Sequence, residues 1–311
     1  MVVVSWEGID MKAKSITIDK EKCKKEGLCA RVCGVRMFSH KRKEYPEVRN
    51  QEDCVLCGEC IAVCPTGAIT HNLLDKTRFK RTAGLAPLDA DVVASILHQR
   101  RSVRAYKKGQ IPRDVLEEIA SVGGYAPTSA HGGEGWTRSC IIVSGEENMC
   151  KVRELTADYM RRLARLLESL VVRIVAHWNP GPRVGRSMLP DIYMRLRELE
   201  QGRDAITYDA PHALFFHSPR FSPYPQVDCD AAIYSVMLLA HAKGMGTCWN
   251  GWLMKAANGF RIKSFTALRE MLGFPDHHEV FSAATLGYRA LDLHSIPHRE
   301  TKIGWVGGGK S

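Results

Sequence analysis

At 311 residues, with 45% hydrophobic and 25% charged side chains and a formal net charge of +10, the chain has room for one small and one medium domain and is too apolar for disorder. No apolar run reaches membrane-span length, the best candidate being residues 231–242. Residues 1–6 lack the basic-then-apolar order of an export signal, so a cytoplasmic protein without a membrane partner is expected. Arg161, Arg162, Arg165 and Arg173 fall on amphipathic helical patterns without interleaved base-stacking aromatics, which argues against nucleic acid. The surplus charge suits an acidic electron donor or an anionic substrate.

In chain order, residues 1–75 read as a small cysteine-rich unit and 76–88 as a linker with Lys76, Arg78, Lys80 and Arg81. Residues 89–311 alternate helical and strand patterns, an α/β or α+β core. Asp89 caps a helix carrying Val92, Val93, Ile96 and Leu97 on one face. Pro112 opens a second helix, with Val115, Leu116 and Ile119 inward and Gly123 closing it. Residues 140–143 read as a buried strand. From 151 to 178 apolar residues recur at helical spacing (Leu155, Tyr159, Leu163, Leu166, Leu170, Ile174), and a second helical stretch covers 187–200. A helical insertion over 151–202 is expected to act as a substrate lid. Strands are expected at 213–216 and 283–286, with His277, His278 and Glu279 in the loop before the latter, and an apolar helix at 229–243 closed by Gly244.

Seven of the 11 cysteines lie between Cys23 and Cys64; with no export signal, that crowding indicates metal thiolates and not disulfides. Cys54, Cys57, Cys60 and Cys64, followed by Pro65, have the CxxCxxCxxxC spacing of a bacterial iron–sulfur run, whose first three thiolates hold one cluster while the fourth reaches the neighbouring cluster. A structural zinc site uses two separated CxxC pairs instead. Upstream, Cys23, Cys29 and Cys33 match the first, third and fourth positions of a second run, with Glu26 in the second. The crossed pattern assigns Cys33, Cys54, Cys57 and Cys60 to one 4Fe–4S cluster and Cys23, Cys29 and Cys64 to another. Three completions of that second cluster stay open: Glu26 as carboxylate ligand, a 3Fe–4S cluster, or a solvent or small-thiol ligand. Residues 16–70 resemble dicluster bacterial ferredoxins.

Four further stretches carry a second resemblance. Arg100, Arg101, Ser102 and Arg104 follow the first helix of the larger domain, guanidinium groups that suit a phosphate and an electron-rich ring. Pro127, Thr128 and Ser129 precede His131 and Trp136. Gly244 to Gly251 includes Cys248, Trp249 and Asn250, with glycines that permit close backbone approach. Gly287 and Tyr288 are followed by His298 and Arg299. Together these resemble the nitroreductase family, in particular its ferredoxin-fused members. The resemblance implies an α+β fold, an antiparallel-rich sheet flanked by helices, and a homodimer with FMN at its interface. It implies FMN contacts from Arg100, Arg101, Ser102, Arg104, Pro127, Thr128, Ser129, Cys248, Trp249, Asn250, Gly251 and Arg299, with a backbone N–H near Asn250 or Gly251 facing the flavin. Where the family has Asn, this chain has His131. Cys248 reads as a packed thiol, and no acid–base side chain is singled out.

The joined modules imply electrons passing from a low-potential donor, such as ferredoxin or flavodoxin, through the clusters to FMN and on to a small electrophilic acceptor such as a nitro compound or quinone. Reductive dehalogenation or C=C reduction on the same scaffold, and an electron carrier or redox sensor serving a protein partner, are the competing expectations. Residues 304–311 match GxxxxGKS as a string but read as a tail, and Gly244-x-Gly246 follows a helix and lacks a third glycine, so neither predicts a nucleotide site.

Overall fold

The computed structural model describes residues 14–83, 85–129, 138–178, 180–297 and 300–307. His131, Trp136, His298 and Arg299 therefore lie outside the described residues.

The N-terminal unit holds β1 (Ile16–Ile18), α1 (Leu28–Val32), β2 (Phe38–Ser39), β3 (Glu47–Val48), α2 (Glu59–Ala62) and β4 (Ile69–His71). β1 pairs antiparallel with β4, and β2 with β3. Its core is Ile16, Met37, Phe38, Ile61 and Ile69 together with Cys29, Cys54 and Cys60. So small a unit has little other apolar volume, and its thiols serve as packing. Leu74 and Phe79 lie against this core. The unit thus extends past residue 75, and the first residues of the expected linker belong to it.

The larger unit begins with α3 (Ala90–Gln99) and α4 (Arg113–Ser121), then β5 (Ser139–Ser144), α5 (Glu146–Glu168), α6 (Leu170–Trp178), α7 (Pro180–Arg186), α8 (Leu189–Glu200) and β6 (His212–Pro219). It continues with α9 (Pro225–Ala242), β7 (Met245–Trp249), α10 (Gly251–Ala257), α11 (Ala267–Leu272) and β8 (His278–Tyr288). The four strands order as β5-β6-β8-β7, all antiparallel, which settles the core as α+β. Side chains alternate across the sheet. Ala213 and Phe215 face the cluster built by α5, α8, α10 and α11, while Leu214 and Phe216 face the one built by α4 and α9. Among the described residues no helix is long and apolar enough to cross a membrane.

Several sequence expectations are corrected. Asp89 caps α3, accepting from the N–H groups of Asp91 and Val92, and the face with Val92, Val93 and Leu97 is 54%, 47% and 45% exposed at those residues. Gly123 does not stop a helix. It is buried in a 3-10 turn over Val122–Tyr125, where a Cβ would stand 3.1 Å from the Phe216 ring. Residues 140–142 are half-buried, since β5 is an edge strand. The long helical pattern breaks at Ser169, whose extended backbone separates α5 from α6. Val152, Tyr159, Met160, Leu163 and Leu167 of α5 and Ile192 of α8 are fully buried core, whereas Leu170, Val171 and Ile174 of α6 are exposed. Within the segment 151–202, α5 and α8 are thus part of the core. His278 and Glu279 open β8 and do not lie in a loop.

Candidate functional site

Past the C-terminus of α3 the chain crosses to the free edge of the sheet. Ser102 pairs in parallel with Thr247 of β7, and the Val103 N–H donates to the Thr247 carbonyl at 2.9 Å. Further on, the Lys107 N–H donates to the Tyr288 carbonyl at 2.8 Å and the Ala290 N–H to the Ala105 carbonyl at 2.9 Å. Contact this close requires Gly246: a Cβ there would lie 2.7 Å from the Val103 side chain. Tyr106 locks the crossing, its hydroxyl donating to the Val103 carbonyl at 2.8 Å and meeting Thr285 Oγ1 at 2.8 Å.

This crossing aligns cations along one edge. Arg100 Nε is buried with no hydrogen-bond partner among the described residues, and its guanidinium lies 5.8 Å from the Tyr234 ring centroid. Burial, with Arg289 and Arg100 adding, holds His241 below the usual imidazole range. Arg101, His241 and Arg289 line a cleft of about 780 Å³ beside it. A buried guanidinium N–H left unpaired beside further cations suits an anionic ligand. Arg289 and His241 carry no motif and were not legible in the sequence.

Farther along, Arg104 sits 5.9 Å from the centroid of the Tyr208 ring. The Tyr208 hydroxyl accepts from Arg195 Nη1 at 3.0 Å. Arg195 is oriented by Asp191, whose two carboxylate oxygens take its Nε–H at 3.1 and 3.0 Å, while Trp252 Nε1 donates to the same carboxylate at 2.7 Å. Tyr208 and Asp209 both adopt left-handed backbone, φ 60 and 53. The Asp204 carboxylate sustains that turn by accepting from the N–H groups of Ile206, Thr207 and Asp209 at 2.8, 2.8 and 3.0 Å. Burial alone would raise the Asp204 pKa; the Thr207 hydroxyl and these N–H donors outweigh it and leave the carboxyl below its usual range. Cys248 is buried, which pushes its thiol up against the opposing pull of Arg104 and Ser102, so it is a packed residue of this wall. Trp249 beside it is 48% exposed.

Asn250 caps α10, its Oδ1 accepting from the N–H groups of Trp252 and Leu253 at 3.1 and 3.2 Å. Its own N–H is spent on the Ala283 carbonyl at 2.8 Å. Of the two backbone donors expected to face a flavin, only that of Gly251 remains, at the first helical position where helix geometry supplies no partner. Pro127, Thr128 and Ser129 are held from another direction. The Ser129 N–H and hydroxyl donate to buried Asp228 at 2.8 and 2.7 Å. Arg138 donates to the carbonyls of Pro127 and Ala126 at 2.8 and 2.6 Å. Thr128 Oγ1 also reaches Asp228, at 3.4 Å. Asp228 and Arg138, neither anticipated from sequence, fix this loop.

The cysteines divide into two neighbourhoods. Cys54 lies within electrostatic reach of Cys57 and Cys33, and Cys60 of Cys57, Cys54 and Cys33. Cys29 lies within reach of Cys23 and Cys64. Burial pushes Cys60 up to about 12 and raises Cys29 and Cys54 as well, so these thiols need a bound cation's charge to become thiolates. Backbone N–H groups point at the sulfurs: Met37 to Cys33 at 3.3 Å, Leu56 to Cys54 at 3.4 Å and Ala68 to Cys64 at 3.3 Å. Among the described residues no three His, Cys, Asp or Glu side chains converge on a single-ion position.

The two runs share a backbone design. Cys57 lies between left-handed Leu56 (φ 56) and Gly58 (φ 75), and Glu26 between left-handed Lys25 (φ 61) and Gly27 (φ 70). Each glycine then caps its short helix, Gly58 for α2 and Gly27 for α1. Glu26 thus occupies the setting that presents Cys57, and it lines a small cavity with Cys23, Cys29 and Cys64.

The Nitroreductase family model matches residues 97–288, and that of the 4Fe-4S binding domain matches residues 47–70, beginning after Cys23, Cys29 and Cys33. Over 197 residues the chain is 38% identical to a provisionally named NADH dehydrogenase/NAD(P)H nitroreductase of Archaeoglobus fulgidus, covering 62% of this chain and 83% of that one. Over 58 residues it is 38% identical to a ferredoxin of Methanothermococcus thermolithotrophicus, covering 18% of this chain and 95% of that one. Among solved structures, an FMN-bound nitroreductase of Bacteroides fragilis aligns with a TM-score of 0.49 at 24% identity, over 69% of this chain and 98% of that one.

Proposed function

Because the chain belongs to the nitroreductase family and carries a 4Fe–4S ferredoxin-like segment ahead of that domain, we propose that it is an iron–sulfur flavoprotein that reduces a small electrophilic acceptor, a nitro compound or quinone, with electrons taken in by the ferredoxin unit. The observation that carries this reading is the division of the seven N-terminal cysteines into the groups Cys33, Cys54, Cys57, Cys60 and Cys23, Cys29, Cys64, in one chain with a cation-lined edge at Arg100. When bound, FMN supplies hydride and one-electron chemistry and the clusters supply single-electron storage.

The protein's own part is binding and orientation. Arg100, with Arg101 and Arg289 nearby, holds a phosphate. Arg104 offers a positive charge, and Arg195 with Tyr208 a hydrogen-bonding partner, to an electron-rich ring edge. The Gly251 N–H offers a donor at a helix start. Asp228 and Arg138 fix the loop of Pro127, Thr128 and Ser129. The clusters are read as one 4Fe–4S on Cys33, Cys54, Cys57 and Cys60, and a second on Cys23, Cys29 and Cys64 with Glu26 at its fourth corner. The exposed apolar face of α3 and Tyr234 of α9, 43% exposed, support a homodimer in which a second copy covers them. A lid role falls to α6 and α7 alone.

The test is anaerobic purification with iron, sulfide and flavin quantitation, followed by turnover against nitroaromatics, quinones, halogenated phenols and activated alkenes. One FMN per chain, iron filling two clusters and reoxidation by nitro compounds or quinones are expected. Reoxidation by halogenated or alkene substrates only would transfer the chemistry to dehalogenation or C=C reduction, and reoxidation by a protein partner only would make the chain a carrier.

A further inference from the structure

We infer that the end of the ferredoxin unit bearing Cys23, Glu26, Cys29 and Cys64 is the docking face for an acidic one-electron carrier protein. This rests on the proposed cluster reading and adds to it the surface and the chemistry of the partner.

Charge is divided within the unit. Between residues 20 and 43 there are nine Lys and Arg against only Glu21 and Glu26, whereas residues 50–75 hold four acidic residues and no Lys or Arg. The fold gathers the basic half around one cavity. Lys24 and Lys25 line it together with Cys23, Glu26, Cys29 and Cys64. The turn joining β2 to β3 is drawn alongside: His40 Nε2 contacts the Lys25 carbonyl at 3.1 Å, and Lys25 Nζ lies 4.2 Å from the centroid of the Tyr45 ring. That places Lys41, Arg42 and Lys43, all exposed, next to exposed Lys20, Lys22 and Lys24. Asp19 forms an ion pair with Lys22, at 2.7 Å. The opposite end is covered by the chain itself: the Phe79 ring lies over Gly58, 3.0 Å from where a Cβ would be, and Lys80 beyond it lies 5.3 Å from the centroid of the Tyr125 ring of the larger unit.

The arrangement selects the partner. The cations are spread over a loop and a hairpin turn and stay exposed, so they match an extended acidic surface and not a small anion, which needs converging donors. The unit's separated charge orients an incoming acidic protein with the cavity foremost. Each productive encounter oxidises the carrier by one electron and reduces this chain by one, with no other reactant.

The test uses the full anaerobic holoprotein and an acidic bacterial 4Fe–4S ferredoxin as probe. Affinity for the oxidised ferredoxin is titrated at low and high ionic strength, and electron transfer from the reduced ferredoxin is followed by stopped flow. The triple variant Lys41→Glu, Arg42→Glu, Lys43→Glu should lose about tenfold or more in affinity and rate at low ionic strength, and salt should erase the difference. The triple variant Arg161→Glu, Arg165→Glu, Arg173→Glu alters net charge equally on α5 and α6 and should change both far less. Wild-type binding by the hairpin variant, or equal losses in the two variants, would overturn the docking face. Dithionite separates the premises: clusters that it reduces in the wild type and both variants leave the loss assigned to docking, while clusters that it cannot reduce would remove the cluster reading and this inference with it.

Discussion

Replacing Arg100 by Gln has opposite consequences for the empty and the loaded protein. In the fold described, Arg100 Nε is buried and unpaired, and an unsatisfied buried charged donor costs on the order of 1–3 kcal/mol. Gln removes the charge and the orphaned donor, so the flavin-free protein should keep its melting temperature or gain about 1 kcal/mol. A guanidinium–phosphate contact contributes about 1.5–3 kcal/mol per charge-assisted hydrogen bond. Losing one or two such bonds in a half-buried setting, about 2–4 kcal/mol, should weaken FMN about 30-fold to about 1000-fold. Riboflavin has the same ring without the phosphate. The assay is quenching of flavin fluorescence by apoprotein, with FMN and riboflavin in parallel, alongside thermal melts without flavin. The wild type should prefer FMN strongly, and Arg100→Gln should lose most of that preference while binding riboflavin nearly as before. Equal weakening of both flavins, or an FMN affinity that does not move, would refute the assignment of Arg100 to a phosphate.

Glu26→Cys should raise iron content to that of two complete 4Fe–4S clusters with full thiolate ligation, altering the EPR spectrum of the reduced protein; Glu26→Ala should favour an oxidised 3Fe–4S signal, and no spectral change in either variant would remove Glu26 from the cluster. Asp228→Asn weakens charge-assisted bonds to the Ser129 N–H and hydroxyl, for an expected loss of about 2 kcal/mol, read as a lower melting temperature and weaker FMN binding; a Ser129→Ala, Asp228→Asn double-mutant cycle should be strongly non-additive. Gly246→Ala drives a methyl to 2.7 Å from Val103 and should cost about 1–3 kcal/mol by overpacking, with FMN affinity falling because Ser102 and Arg104 shift with Val103. His217 and His278 meet Nδ1 to Nδ1 at 2.8 Å, and burial lowers them to about 3 and about 4, His277 and Arg269 contributing at His278. Their folded values lie below the ordinary 6.5, so the stabilisation is complete above about pH 6.5 and is lost as pH falls toward 4, on the order of 3 kcal/mol for each histidine. Melts across that range should show a shallower slope for His217→Gln than for wild type, and identical slopes would count against the pair.

Contact-level features of the candidate site were hidden from sequence for a common reason. Arg100 and Arg104 announce themselves in a short basic string, but Arg195, Tyr208, Asp228, Arg138 and Arg289 come from separate elements and meet only when β6, α8 and α9 assemble. Buried partners of this kind leave no local pattern. Periodicity likewise marks which residues are apolar and not which neighbour covers them. Leu163 and Leu170 read as one stripe, yet Leu163 is fully buried and Leu170 is 68% exposed, because the chain turns at Ser169. Val92 and Leu97 lie on an apolar face that the described residues leave 54% and 45% exposed at those positions.

What the sequence determined by itself was chemistry set by short-range spacing: the CxxCxxCxxxC run, the Glu26 departure, the basic string after α3 and the caps at Asp89 and Gly244, each a constraint within a few residues. Tertiary structure alone decided the antiparallel order β5-β6-β8-β7, the spending of the Asn250 N–H on Ala283 and the burial of Arg100 Nε without a partner among the described residues. Those depend on which distant backbone and side-chain groups satisfy one another once water is excluded, and that pairing is a property of the packed fold.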